Sequence, residues 1–274
     1  EALGEVVGAG RGLPNLRQAL ELGVIDRYET DLAAAVSGAD MVMVATPVCS
    51  MGTVLAQIAP ALGPQTVVTD VGSVKGEVVA AARKALGAHF RHFVPGHPIA
   101  GTEKSGIGAA FPELFEAHKI ILTPLAETEP RALETVREMW WLTGAEVMEM
   151  SVEEHDRVLA VTSHLPHVLA YALVDFLANC NRKENPLYFK LAAGGFYDFT
   201  RIASSDPEMW RDICLMNREE LAAQLRSFHG ELDKILGAVE EGDGAALESL
   251  FAAAREARAK VAERRQQNLG RDLS

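Results

Sequence analysis

The stretch VPGHPIAGTEKSG, Val94–Gly106, sets a single histidine, His97, between Gly96 and Pro98 where an apolar run gives way to a loop. An imidazole titrates near neutrality, so modest tuning lets it take a proton from a ligand, and Gly96 and Gly101 leave space for a ligand beside the backbone. A turn histidine bonded only to nearby backbone is the ordinary alternative, since most histidines are not catalytic. Other apolar runs end on residues of comparable interest. Thr46 and Pro47 close MVMVA and open a helical pattern, and Ser73, in DVGSVKG after TVVTD, can cap a helix or turn its hydroxyl toward a site. GAGRG after EVV brings Gly10 and Arg11, the arginine being either an anion contact or a solvated surface cation.

These residues act together only if a scaffold gathers the ends of those runs. Apolar runs at 5–10, 41–46, 66–71, 92–97 and 119–124 alternate with helical patterns at Leu13–Leu22, Pro47–Ala61 and Lys75–Leu86. Such alternation predicts an α/β, Rossmann-like doubly wound parallel sheet, which Arg131–Leu142 and the strand AEVMEM complete. From Ser151 the texture changes to long apolar helical patterns, Val158–Ala178, Pro207–Leu236 and Ala245–Gln267, with no strand-like segment. The predicted organisation is therefore a dinucleotide-binding domain over residues 1–150 and an all-helical domain over residues 151–274. Ligands of open parallel sheets bind beyond the carboxyl ends of the strands. In that frame Gly10 and Arg11 face an adenosine ribose, where an acid favours NAD and an arginine meets the extra phosphate of NADP. GAGRG is not the usual GxGxxG turn, and the first strand and its glycine turn are expected to lie before Glu1, leaving the cofactor domain N-terminally incomplete.

The chain has 274 residues, 48% hydrophobic and 23% charged, enough to bury a sizeable core. It has no unbroken apolar run of 18 residues and no leader pattern, so the cytoplasm is the expected location. Cys49, Cys180 and Cys214 are too dispersed for a metal or disulfide framework and read as buried, reduced thiols; no metal is expected. A net charge of −12 argues against nucleic acid and anionic membranes, and means that an anionic substrate needs locally placed cations. The pattern LPHVLAYALVDFLANC is apolar around most of a helix and predicts burial in a two-fold interface between copies of the chain.

VPGHPIAGTEKSG, DVGSVKG, VTSHLPH and GGFYDFTRIASSDPEMWRDI occur together in one order, and in them the chain resembles the prephenate dehydrogenases and the related arogenate and cyclohexadienyl dehydrogenases of tyrosine biosynthesis. The resemblance runs from Glu5 to about Arg264. It implies oxidative decarboxylation of prephenate to 4-hydroxyphenylpyruvate, or of arogenate to tyrosine, with hydride transfer to NAD or NADP, by a homodimer joined through its helical domain. His97 matches the family's base and Ser73 the serine that orients it beside the nicotinamide, while Arg201 matches the arginine that forks onto a substrate carboxylate. His167 and Trp210 match pocket positions, Thr102 and Glu103 follow the base at the substrate entrance, and Gly10, Arg11, Thr46 and Pro47 join Ser73 on the cofactor side. Tyrosine, close to the product, is expected to inhibit. His155, His164 and His229 receive no role. The readings set against this one are another β-hydroxyacid-type dehydrogenase, which would want a lysine on the helical face at 158–178 where none stands, and a non-catalytic Rossmann-like sensor, which would not explain His97 and Ser73 together.

Overall fold

The computed structural model describes residues 4–101, 106–183 and 187–271. The chain begins β1 (Val7–Ala9), α1 (Leu13–Glu21), β2 (Arg27–Glu29), α2 (Leu32–Val36), β3 (Met41–Val44), α3 (Val48–Ile58), β4 (Val67–Asp70) and α4 (Gly76–Leu86). It continues through β5 (Phe93–Val94), β6 (Gly96–Ile99), β7 (Lys119–Leu122), α5 (Pro130–Trp141) and β8 (Glu146–Glu149). Helices follow: α6 (Val152–Leu159), α7 (Leu165–Lys183), α8 (Leu187–Lys190), α9 (Gly194–Thr200), α10 (Pro207–Met216), α11 (Arg218–Glu241) and α12 (Gly244–Arg271). The expected α/β half and helical half are both present. The chain divides after Leu221 into two compact units, and the second, Ala222–Ser274, holds the rest of α11 and α12.

Among the described residues the strands form three sheets. β1 pairs with β2 in parallel, β3, β4 and β5 form a parallel set, and β7 pairs in parallel with β8 but antiparallel with β6. β4 is buried along its whole length, as a central parallel strand must be. Its successive side chains point to opposite cores. Val68 packs with Met51, Leu55, Val78 and Ala82 of α3 and α4, whereas Val67 packs with Ala132, Val136 and Trp140 of α5. Phe93 and Val94 divide in the same way, so helices cover both faces of the sheet.

The run HFVPGH, expected as one strand, is two. Pro95 offers no backbone donor, and the chain there leaves β4 for an antiparallel partner, His97 opposite Ile121. Gly96 permits the crossing, because a Cβ at that position would lie 2.9 Å from the Asp70 carbonyl oxygen. β2, also not foreseen, contains the polar triplet Arg27–Tyr28–Glu29, which carries no apolar signal.

The Asp70 carboxylate accepts the N–H of Gly72 (2.8 Å) and of Gly96 (3.2 Å) and pairs with the Lys75 ammonium. Lys75 is fully buried and also donates to the Gly96 carbonyl at 2.6 Å. Three segments, the end of β4, the turn into α4 and the start of β6, are thereby tied at one buried point.

The helical half opens with a serine N-cap. Ser151 accepts the N–H of Glu154 at 3.1 Å at the head of α6. Between α6 and α7 the helix loosens into a π segment, Ala160–His164, without breaking. By length and composition Val152–Cys180 is apolar enough to cross a bilayer, and it leaves Leu173 and Phe176 38% and 65% exposed. The helix expected over Pro207–Leu236 is broken at Asn217, which separates α10 from α11. The cysteines are free, but Cys49 is exposed and Cys180 and Cys214 are half-buried, contrary to expectation. Cys49 falls off the stripe of Val48, Met51, Leu55 and Ile58 that α3 turns to the core.

Replacing Lys75 with methionine strands a buried carboxylate. The expected cost is about 3–5 kcal/mol, read from urea unfolding. An unchanged midpoint and slope would show that the ion pair does not hold these segments together.

Candidate active site

Ser73, His97, His167, Arg201 and Trp210 all line one cavity of about 1320 Å³ within the first compact unit. They come from separate parts of the chain: the turn after β4, strand β6, helix α7, the turn Arg201–Ser204 after α9, and helix α10. Ala100 and Gly101 continue the wall beyond His97, while Thr102 and Glu103 lie outside the described residues. Ala45 and Val71, just past β3 and β4, also line the cavity, which places it at the carboxyl ends of the sheet.

Gly10, Arg11, Thr46 and Pro47 do not line that cavity, although Ala45 beside Thr46 does. Arg11 is exposed after β1. Thr46 Oγ1 is buried without a hydrogen-bond partner, the condition that a polar ligand group at a strand end would relieve.

His97 is buried, and its Nδ1 lies 2.8 Å from His155 Nε2. His155, wholly buried, has its Nδ1 2.7 Å from Asp156 Oδ1. The Asp156 carboxylate in turn accepts the N–H groups of Lys75 and Gly76, each at 2.8 Å. It thus caps α4 from a distant helix, a position that Ser73 does not take. The contact at His97 Nδ1 comes from His155, and Ser73 shares the cavity with the base. Asn217, at the break between α10 and α11, donates to the Asp156 carbonyl (2.8 Å) and lies 3.1 Å from His164 Nδ1. His155, Asp156 and His164, given no role from sequence, thus surround the candidate base. The adjacent His-Asp pair in VEEHDR was the one local hint, because an acid beside a histidine on a helix can fix that imidazole.

Burial pushes His97 well below the ordinary histidine range, helped by the neighbouring His155, Lys75 and His164. His164 is lowered to about 4, first by burial. His167 is also lowered by burial, with its Nδ1 2.9 Å from the Ser163 carbonyl. A carbonyl only accepts, so that Nδ1 carries the hydrogen and Nε2 keeps its lone pair. His167 stacks on Trp210 with ring centres 3.6 Å apart, and the Trp210 indole N–H is buried without a partner. For Asp156 burial acts upward, but the hydrogen bonds from His155, Lys75 and Gly76 outweigh it and hold the carboxyl low. The cavity thus offers a neutral imidazole, an arginine, an unused N–H donor and an unused nitrogen acceptor. That set can receive a proton from a hydroxyl while holding an anionic molecule.

Comparison with known proteins gives the same direction. Residues 4–149 match the family model described as prephenate dehydrogenase, nucleotide-binding domain, and residues 151–253 match prephenate dehydrogenase, dimerization domain. The chain is 41% identical over 241 residues to the cyclohexadienyl dehydrogenase of Zymomonas mobilis, covering 88% of this chain and 81% of that protein. It is 42% identical over 243 residues to the prephenate dehydrogenase of Bacillus subtilis, covering 88% of this chain and 64% of that longer protein. Among solved structures, prephenate dehydrogenase from Aquifex aeolicus, in complex with hydroxyphenyl propionate and NAD+, superposes with a TM-score of 0.86 at 38% identity, covering 94% of this chain and 90% of that one.

The buried histidines give the fold a pH dependence with a definite sign. Unfolded, His97 and His164 titrate near 6.5; folded, both titrate lower. As pH falls below 6.5 the unfolded chain takes up protons that the folded chain refuses, so stability drops until about pH 4, where His164 titrates in the fold as well. His164 alone accounts for on the order of 3 kcal/mol of this loss. Unfolding free energies that stay level from pH 7 to 4.5 would contradict the burial of neutral imidazoles.

Proposed function

The chain belongs to the prephenate dehydrogenase family, and from that membership we propose that the cavity around His97 is where it oxidatively decarboxylates prephenate, arogenate or both. The carrying observation is a buried, neutral imidazole on the same cavity as an arginine. When bound, an oxidised nicotinamide dinucleotide supplies the acceptor for the hydride that leaves the substrate's carbinol carbon.

His97 takes the ring hydroxyl proton on Nε2 as the carbinol becomes a carbonyl. The bond to the ring carboxylate then breaks, carbon dioxide departs, and its bonding electrons pass through the ring to the carbonyl oxygen, giving an aromatic phenolate that takes the proton back from His97 Nε2. Arg201 holds a substrate carboxylate through its planar fork. Trp210 donates its unused indole N–H to a carboxylate oxygen, and His167 accepts through Nε2. Ser73, on the cavity wall that it shares with His97, would serve the nicotinamide side of the site. On the cofactor side, Gly10, Arg11, Thr46 and Pro47 would hold the dinucleotide, and Arg11 would favour tolerance of NADP.

The division of labour falls at Met150 and Ser151, with the cofactor held by residues 1–150 and substrate and dimer contacts in residues 151–274. The exposed Leu173 and Phe176 of α7 support a homodimer interface on the helical half. Free cysteines support a reducing, cytoplasmic setting. Tyrosine competes for the substrate site, because it shares the product's ring and the amino-acid end of arogenate.

Mixing the protein with prephenate or arogenate and either NAD or NADP, and following reduced nicotinamide by absorbance, tests the reaction directly. Replacing His97 with asparagine lowers kcat by about 10²–10⁴-fold with little change in substrate affinity. A near-normal rate in that variant would refute the assignment of the base. Arg201→Gln instead raises KM more than it lowers kcat, and equal loss of both at saturating substrate counts against carboxylate binding.

A further inference from the structure

We infer that His155 and Asp156 are positioning residues that fix the tautomer of His97 and leave its Nε2 unprotonated toward the cavity. This rests on the proposed role of His97, and goes beyond it by assigning the source of the base's proton state to a second helix.

The direction of the chain follows from which atoms can donate. The Asp156 carboxylate accepts two backbone N–H groups at the first turn of α4, where the helix dipole further favours an anion. An ionised carboxylate only accepts, so His155 Nδ1 carries the hydrogen in the 2.7 Å contact. A neutral His155 then has only a lone pair at Nε2. Across the 2.8 Å contact the donor is therefore His97 Nδ1–H, and a neutral His97 donating there has its own lone pair on Nε2.

Several features hold the relay in place. His155 is wholly buried, so water does not compete for either ring nitrogen. The two rings meet edge to face with centres 5.1 Å apart. On the strand side, the Lys75 ammonium binds the Gly96 carbonyl and so fixes the peptide that carries His97. Lys75 and Gly76 supply the N–H groups that hold Asp156, so the same turn that orients the strand orients the relay. Without His155, the His97 ring is free to rotate and to carry its hydrogen on Nε2, where it cannot act as a base.

Two measurements test this. In the unaltered protein without cofactor, nitrogen-15 NMR of labelled histidines reads each tautomer directly, with His97 identified by the signals that vanish in His97→Asn. The expected result is a protonated Nδ1 and a bare Nε2 on both His97 and His155, and a neutral His97 protonated at Nε2 overturns the relay whatever the enzyme's substrate. In turnover with prephenate and NAD or NADP, His155→Leu lowers kcat by about 10²-fold or more while KM stays within a few-fold. His155→Gln, whose amide oxygen accepts the His97 Nδ1–H, recovers to within about tenfold of the unaltered rate. Equal loss in both variants, or a leucine variant of normal rate, overturns the relay. Failure of the unaltered protein to turn over either substrate counts against the proposed reaction instead, and the NMR result then decides the relay alone.

Discussion

A lysine with no contact with water has to satisfy its ammonium inside the protein, and that demand organises this half of the molecule. Lys75 reaches Asp70 and the Gly96 carbonyl, and Asp70 reaches back to the N–H groups of Gly72 and Gly96. Desolvation works against the charged lysine, so the arrangement tolerates little slack. Gly96 must come close enough that a Cβ has no room against the Asp70 carbonyl. This contact fixes where β6, the strand carrying His97, begins.

The same exclusion of water sets the chemistry. His97, His164 and His167 are all displaced toward the neutral form, chiefly by burial. The acid among them, Asp156, keeps its charge because it is met by a histidine and by two backbone N–H groups at a helix start. The protein carries a net charge of −12, yet the wall of its cavity combines neutral imidazoles with an arginine. An anionic substrate therefore meets a local environment opposite in character to the average surface.

The alternation of apolar runs with helical patterns was enough to predict the layered α/β half, and the texture change at Ser151 coincides with the serine N-cap that starts α6. The residues that end strands were also legible as site candidates, since Ser73 and His97 do meet His167, Arg201 and Trp210 around one cavity. What sequence left hidden is what depends on contacts across long separations. Asp156 caps α4 from 80 residues away, and His155 reaches His97 across 58, so neither leaves a local pattern. Pro95 was visible, but its effect, the change of partner from β4 to β7, depends on where Gly96 can fit. Arg27–Glu29 forms a strand with no hydrophobic signal, because its burial is only partial on either side.

The π segment at Ala160–His164 gives the helical half a phase. Each α-helical residue advances the side chains by about 100°, and a widened turn absorbs one residue more than an α turn does. His155 lies before that segment, His164 ends it and His167 follows it, yet His155 and His164 both flank the base and His167 lines the same cavity. If the same residues wound there as regular α-helix, with none lost, everything beyond would turn by about 100° relative to α6. The polar side of α7 would then swing off the cavity while every hydrogen bond of the helix backbone was still made. The spacing between the two histidine groups is thus held by helical register, which tolerates changes in side chains far better than changes in length.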